Sequence, residues 1–162
     1  IKIIISMKVE YNNLYTHFVL TTIHRMPLIP EEHRIRIEKY ITGIINHRNC
    51  KLYAIFANPE HAHILISRAP TVSEEWISTQ IEELSTKFIN ENKLSVGNFT
   101  WQDSCAAFSV SKGDIEKTCK YILNQKEKHK KKSFADEYSE FIEYYEHTIQ
   151  PKIFLTPNKT VK

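Results

Sequence analysis

Apolar and polar positions along the chain fall into short blocks with two different periods. Leu14 to Thr22 is rich in β-branched and aromatic residues and reads as a strand. His24-Arg25-Met26-Pro27 breaks it. Pro30, Glu31 and Glu32 start a helix, with proline in the first turn and acids at the positive end of the dipole. Ile37, Ile41, Ile44 and Ile45 then keep one apolar face to about His47. Lys51 to Ala57 and His61 to Arg68 are two further strands. Their joint, Asn58-Pro59-Glu60, is so short that they must form an antiparallel hairpin. Thr71-Val72-Ser73-Glu74 is a capping-box pattern. Trp76, Ile77, Gln80, Ile81, Leu84 and Phe88 follow at helical spacing, with Trp76 assigned to the core. Asn98 to Gln102 and Cys105 to Val110 supply one or two more strands. Ser111-Lys112-Gly113-Asp114 opens a helix with a serine cap, running through Tyr121 to roughly Lys128. A last helix covers Phe134 to His147, and Pro151 marks its end.

The order is therefore β-α-β-β-α-β-(β)-α-α. It predicts an α+β fold, a ferredoxin-like or RRM-like antiparallel sheet with helices packed on it. A chain of 162 residues is one domain, or one domain plus a tail. The expected division is 11–150 as the domain, 1–10 as a leader or extra N-terminal residues, and 151–162 as a C-terminal tail. Met7 is a candidate start, with Ile1 to Ser6 as the leader.

Composition changes this picture in four places. Only three glycines occur, and neither G-x-G-x-x-G nor G-x-x-x-x-G-K is present, which excludes the common phosphate loops. The three cysteines are odd in number and form no C-x-x-C, so no disulfide framework or cysteine zinc site is expected, and a cytoplasmic location is. Ile3-Ile4-Ile5 is far too short to span a membrane, so no membrane association is expected. The net charge of +3 permits a nucleic-acid partner. Its excess is local: Lys126, Lys128, Lys130, Lys131 and Lys132 crowd one segment.

Two patterns carry candidate chemistry. In His61-Ala62-His63 the imidazoles share one face of a strand, while Ala62, Ile64 and Ile66 face a core on the other. Alone, such a pair is more often two half-exposed histidines at a strand end than a metal site. Tyr121 and Gln125 sit one helical turn apart and aim a phenol and a carboxamide at the same space. Alone, Tyr121 reads as one packing tyrosine among eight. Tyr138 and Tyr145 share a face with Phe141 and Ile142, which reads as packing. The lysine run directly follows Gln125; in most helices such a run is a solvated end facing the negative dipole.

His-x-His on a central strand, followed by Tyr-x-x-x-Gln on a later helix, resembles the HUH endonucleases. The likeness is to the single-tyrosine transposases of small insertion sequences, including those of the REP-associated type. It extends from about Tyr11 to Phe154. Tyr15 to Thr22 leading into His24-Arg25-Met26-Pro27-Leu28 is similar to that family's first strand and basic-x-Pro segment. Asn58-Pro59-Glu60-His61-Ala62-His63-Ile64-Leu65-Ile66 resembles its metal motif. Phe99-Thr100-Trp101-Gln102 and Phe108-Ser109-Val110-Ser111 resemble its later strands, and Lys120-Tyr121-Ile122-Leu123-Asn124-Gln125 its nucleophile helix. Ala62 departs from the pattern, which usually has a bulkier apolar residue there.

The resemblance implies the HUH endonuclease fold and a DNA transposase. It implies a divalent metal, Mg2+ or Mn2+, held by His61, His63 and Gln125. It implies that Tyr121 attacks a phosphodiester of single-stranded DNA, giving a 5′-phosphotyrosine and a free 3′-OH. It further implies a homodimer and recognition of a DNA hairpin. Candidate DNA contacts are Arg25, the lysines at 126, 128, 130, 131 and 132, and Trp101 as a stacking platform, although such a tryptophan is more often core. The rival from another class is a non-catalytic single-strand-binding module, such as a decayed or domesticated transposase. The RRM signature K/R-G-F/Y-G/A-F-V-x-F/Y is absent, which weighs against an ordinary RRM. A histidine-triad enzyme would need a third histidine where Leu65 stands.

Overall fold

The computed structural model describes Val9 and residues 11–148. The leader, Val9 apart, the proposed stop at Pro151 and the tail from 151 lie outside the described residues. The chain divides into two compact units, Ile1–Gln125 and Lys126–Lys162.

The first unit is built on one four-stranded antiparallel sheet in the order β2-β3-β1-β4. The strands are β1 (Tyr15–Thr21), β2 (Lys51–Ala57), β3 (His61–Ser67) and β4 (Ala106–Val110). Helix α1 (Glu31–His47) joins β1 to β2, and α2 (Glu74–Glu91) lies between β3 and β4. This is the expected α+β arrangement with ferredoxin-like connectivity. The strand expected at Asn98 to Gln102 reduces to a single bridge between Thr22 and Trp101.

One face of the sheet carries the larger core. Phe18 and Leu20 of β1, Ala62, Ile64 and Ile66 of β3, and the isoleucines of α1 and α2 form one buried cluster. Ile37, Ile41, Ile45, Ile77, Ile81 and Ile64 are all fully enclosed. Each such side chain stabilises the fold by roughly 1.5–3 kcal/mol relative to exposure. The opposite face holds a smaller cluster, in which Leu65, Phe56 and Ala54 pack with Ile122 of α3 (Ile115–Leu123). A bulge between Leu52 and Ala54 lets β2 serve both clusters. It shifts the alternation by one residue, so Leu52 and Ile55 join the larger cluster while Tyr53 and Ala54 both join the smaller.

Several local expectations change. The cap of α2 is Ser73, two residues beyond the expected Thr71; its Oγ accepts from the Trp76 backbone N–H at 3.1 Å. Trp76 is 45 % exposed, with the Arg48 guanidinium 5.8 Å from its ring, and is not in the core. Ser111 opens only a short 3-10 turn (Lys112–Asp114), bonding the Asp114 carboxylate rather than a backbone amide. The helix expected to run unbroken through Tyr121 to Lys128 stops at Leu123. Asn124 is non-helical (φ −94°, ψ 14°), and α4 (Gln125–Lys128) starts anew.

Between β1 and α1 the backbone is unusual. His24 and Arg25 have φ of 52° and 54°, left-handed values that side-chain-bearing residues rarely adopt. In the second unit, Ser133 caps α5 (Phe134–Thr148), its Oγ accepting from Asp136 N–H at 3.2 Å. The lysines of the run are exposed. Lys130 pairs with Glu127 at 2.8 Å, and Lys132 pairs with Glu140.

Candidate active site

The alternation of β3 puts His61, His63 and Leu65 on the face away from the larger core, as the sequence predicts. His63 lies beside Val19 on β1 and Phe56 on β2, and His61 beside Thr21. Helix α3 packs on this face, so the site lies between the sheet and that helix. His61 and His63 are 0 % and 2 % exposed, Gln125 is 0 %, and Tyr121 is half-buried. The Tyr121 ring stands edge-on to His63, with centroids 5.6 Å apart. The two histidine rings are 5.0 Å apart and nearly perpendicular. Tyr121, Gln125 and the histidine pair thus meet in one place, although the break at Asn124 separates the first two into different helices.

Three further side chains complete the cluster. Asn58 is 3 % exposed, and its Nδ2 donates to His61 Nε2 at 3.0 Å and to Gln125 Oε1 at 3.2 Å. Glu60 places Oε1 3.3 Å from His61 Nδ1. His17 of β1, 1 % exposed, places Nε2 3.0 Å from His63 Nδ1. Sequence reasoning assigned none of these three a role. Asn58 and Glu60 lay within the quoted motif but read as turn residues; His17 read as an ordinary strand position, since its partner is 46 residues away.

The turn that presents them is pinned on several sides. Asn58 N–H donates to the His61 carbonyl at 2.7 Å. Ile29 N–H donates to the Pro59 carbonyl, and Thr22 N–H to that of Glu60. The Glu38 carboxylate, itself paired with Arg34, accepts from Ala57 N–H at 2.9 Å. Buried polar groups must be paired in this way or they destabilise the fold.

The donor set suits a divalent cation. An imidazole nitrogen and a carboxamide oxygen, His61 Nε2 and Gln125 Oε1, converge on the single Asn58 amide group, which draws on the same lone pairs a cation would use. Asn58 donates to His61 Nε2, which fits a neutral ring protonated at Nδ1, with Nε2 as the ligating atom; the Glu60 carboxylate lies near Nδ1.

Of the residues expected to contact DNA, Arg25 and the five lysines are exposed. Trp101 is not: it is 3 % exposed, its indole N–H donates to Ser85 Oγ at 2.9 Å, and Phe99 packs edge-on at 4.9 Å. It is a core residue with no open ring face for a base, which corrects its reading as a stacking platform. The cysteines are free, and burial pushes the Cys105 and Cys119 thiols up. No described helix is long and apolar enough to cross a membrane.

The family model described as Transposase IS200 like matches residues 10–125 of the chain. A candidate transposase from Deinococcus radiodurans R1 superposes with a TM-score of 0.57 at 18% identity, covering 74% of this chain and 96% of its own. A REP-associated tyrosine transposase bound to a REP hairpin superposes with a TM-score of 0.56 at 17% identity, covering 75% of this chain and 74% of its own. At these identities the likeness is one of fold. No curated protein matches the chain in sequence.

Proposed function

The chain belongs to the IS200-like transposase family, and from that premise we propose that it cuts and rejoins single-stranded DNA through Tyr121, using a divalent metal. The observation that carries this reading is the meeting of His61, His63 and Gln125 beside the Tyr121 ring. Mg2+ or Mn2+, held by those three residues, would supply Lewis-acid polarisation of the scissile phosphate.

The chain's own residues do the rest. Tyr121 Oη attacks phosphorus, and the 3′-oxygen leaves with a proton, giving a 5′-phosphotyrosine and a free 3′-OH. The new bond keeps the phosphodiester energy, so attack by a 3′-OH reverses the step and rejoins the strand. An ordinary tyrosine has a pKa of about 10, so attack requires that the phenol be activated, by the metal, a nearby lysine or contacts with the substrate. Helix α3 holds the ring against the sheet, which limits the directions from which a phosphate can approach. Arg25 and the exposed lysines at 126, 128, 130, 131 and 132 would position the strand through its phosphates. A hairpin in single-stranded DNA is the expected substrate, since the REP-bound neighbour carries one, and a second copy of the chain is the expected partner.

The test is to mix the protein with labelled single-stranded hairpin DNA and Mn2+ or Mg2+, then run a denaturing gel. A covalent adduct that chelation removes is expected. Binding without an adduct at any metal concentration would instead make the chain a non-catalytic single-strand-binding module.

A further inference from the structure

We infer that His17 is a positioning residue that sets the tautomer and orientation of His63, so that His63 presents Nε2 to the metal. The inference rests on the metal reading above and extends it to a residue outside the ligand set. The two site histidines sit alike: each has a polar side chain at Nδ1. For His61 that group is the Glu60 carboxylate at 3.3 Å, and for His63 it is His17 Nε2 at 3.0 Å.

An imidazole–imidazole hydrogen bond needs one ring to donate and the other to accept. Two arrangements satisfy it. If His17 Nε2 carried the proton, it would occupy the His63 Nδ1 lone pair and leave a neutral His63 protonated at Nε2, unable to ligate there. If His63 Nδ1 carries the proton, His17 Nε2 accepts it and the His63 Nε2 lone pair is a ligand. Only the second matches the tautomer that the Asn58 amide, donating to Nε2, indicates for His61. His17 is also held in place for the task. It is 1 % exposed and flanked by the rings of Phe108 and Tyr121, at 6.4 and 6.2 Å. It sits in the middle of β1, opposite Leu65 of β3, where the ladder fixes its backbone. Groups that orient a ligating histidine typically matter by about 10- to 100-fold in metal affinity.

The experiment compares wild type with His17→Phe, which keeps a ring but has no acceptor, and His17→Gln, whose Oε1 can take the place of Nε2. Two quantities are read on the full chain. Histidine 15N NMR of the metal-free protein reports the His63 tautomer, and calorimetric titration with Mn2+ reports affinity. Wild type and His17→Gln should show His63 protonated at Nδ1 and similar affinity. His17→Phe should lose that fixed tautomer and bind Mn2+ about 10- to 100-fold more weakly. A purely structural role would lower thermal stability in the variants without moving the tautomer, and would overturn the inference. Equal affinity in wild type and His17→Phe would overturn it too, as would a wild-type His63 protonated at Nε2. A wild type that binds no Mn2+ while keeping the Nδ1 tautomer would sink the metal reading, and with it the purpose assigned to His17.

Discussion

Tyr121→Phe removes one oxygen and leaves the ring packed in the smaller cluster with Leu65 and Ile122. Stability and hairpin binding should stay near wild type, while the covalent adduct on a denaturing gel vanishes. Tyr138→Phe should still form the adduct; an adduct surviving in Tyr121→Phe would mean another nucleophile. The histidines behave differently. From the sequence, His61 and His63 face a site and not the larger core, so alanine there should leave folding intact. Both are buried, and truncation removes one buried hydrogen bond from Asn58 or His17. His61→Ala and His63→Ala should therefore abolish cleavage and also lower stability by about 1–3 kcal/mol, seen in denaturant melts. Cleavage at wild-type rates in both would refute the ligand assignment. The shared strand face of His61 and His63 was legible because strand alternation is local, and the place of Tyr121 beside it followed from the motif spacing. His17 was not, because hydrogen bonds between strands have no sequence spacing to announce them.

At the scale of elements, two acids on the helices have consequences that assays can reach. Glu38 of α1 is the only side chain bonding the Ala57 amide among the described hydrogen bonds, and it steadies the turn that carries Asn58. Glu38→Ala leaves that buried N–H unpaired and should cost about 1–3 kcal/mol. Mn2+ affinity should fall with it, since Asn58 and Glu60 lose their fixed frame; an unchanged melting curve would show the turn to be held by Ile29 and Thr22 alone. Glu82 of α2 has its carboxyl pushed up to about 7, chiefly by burial, with Asp103 and Glu83 adding repulsion and the Cys105 thiol opposing. The folded form thus holds this proton more tightly than the unfolded chain does. The stability it contributes is fully present below about pH 4.5 and is lost as pH rises towards 7. Glu82→Gln should flatten that part of the profile, so that melts at pH 5 and pH 8 lie closer together than in wild type. Helix periodicity located α1 and α2 well, because their isoleucines face one core. It missed the stop at Leu123, since a single residue's φ and ψ can end a helix without disturbing the apolar pattern. It also assigned Trp76 to the core, whereas the structure leaves it exposed. Trp101 goes inside because Ser85 takes its N–H, while Trp76 stays outside on the first turn of α2.

For the whole molecule, the connectivity was readable from element order alone, since a β-α-β-β-α-β chain with a tight hairpin leaves few antiparallel arrangements. Substrate preference belongs to this scale as well. The protein should bind a hairpin with single-stranded flanks in preference to a matched duplex, because the sequence carries no recognition-helix motif for a major groove. Affinity should fall steeply with salt, and each lysine-to-alanine change in the run that removes a phosphate contact should flatten the log–log slope by about 0.7. Equal competition by duplex would reject the preference. The left-handed turn at His24 and Arg25 bears on a different matter, the course that selection has taken. Glycine adopts such angles without the penalty that a β-carbon brings, so His24→Gly and Arg25→Gly should each raise stability by roughly 0.5–1 kcal/mol. A sturdier protein is thus one substitution away at either position. If Arg25 meets the DNA backbone, Arg25→Gly will melt higher and bind more weakly, and the turn will mark a place where durability has been given up for use.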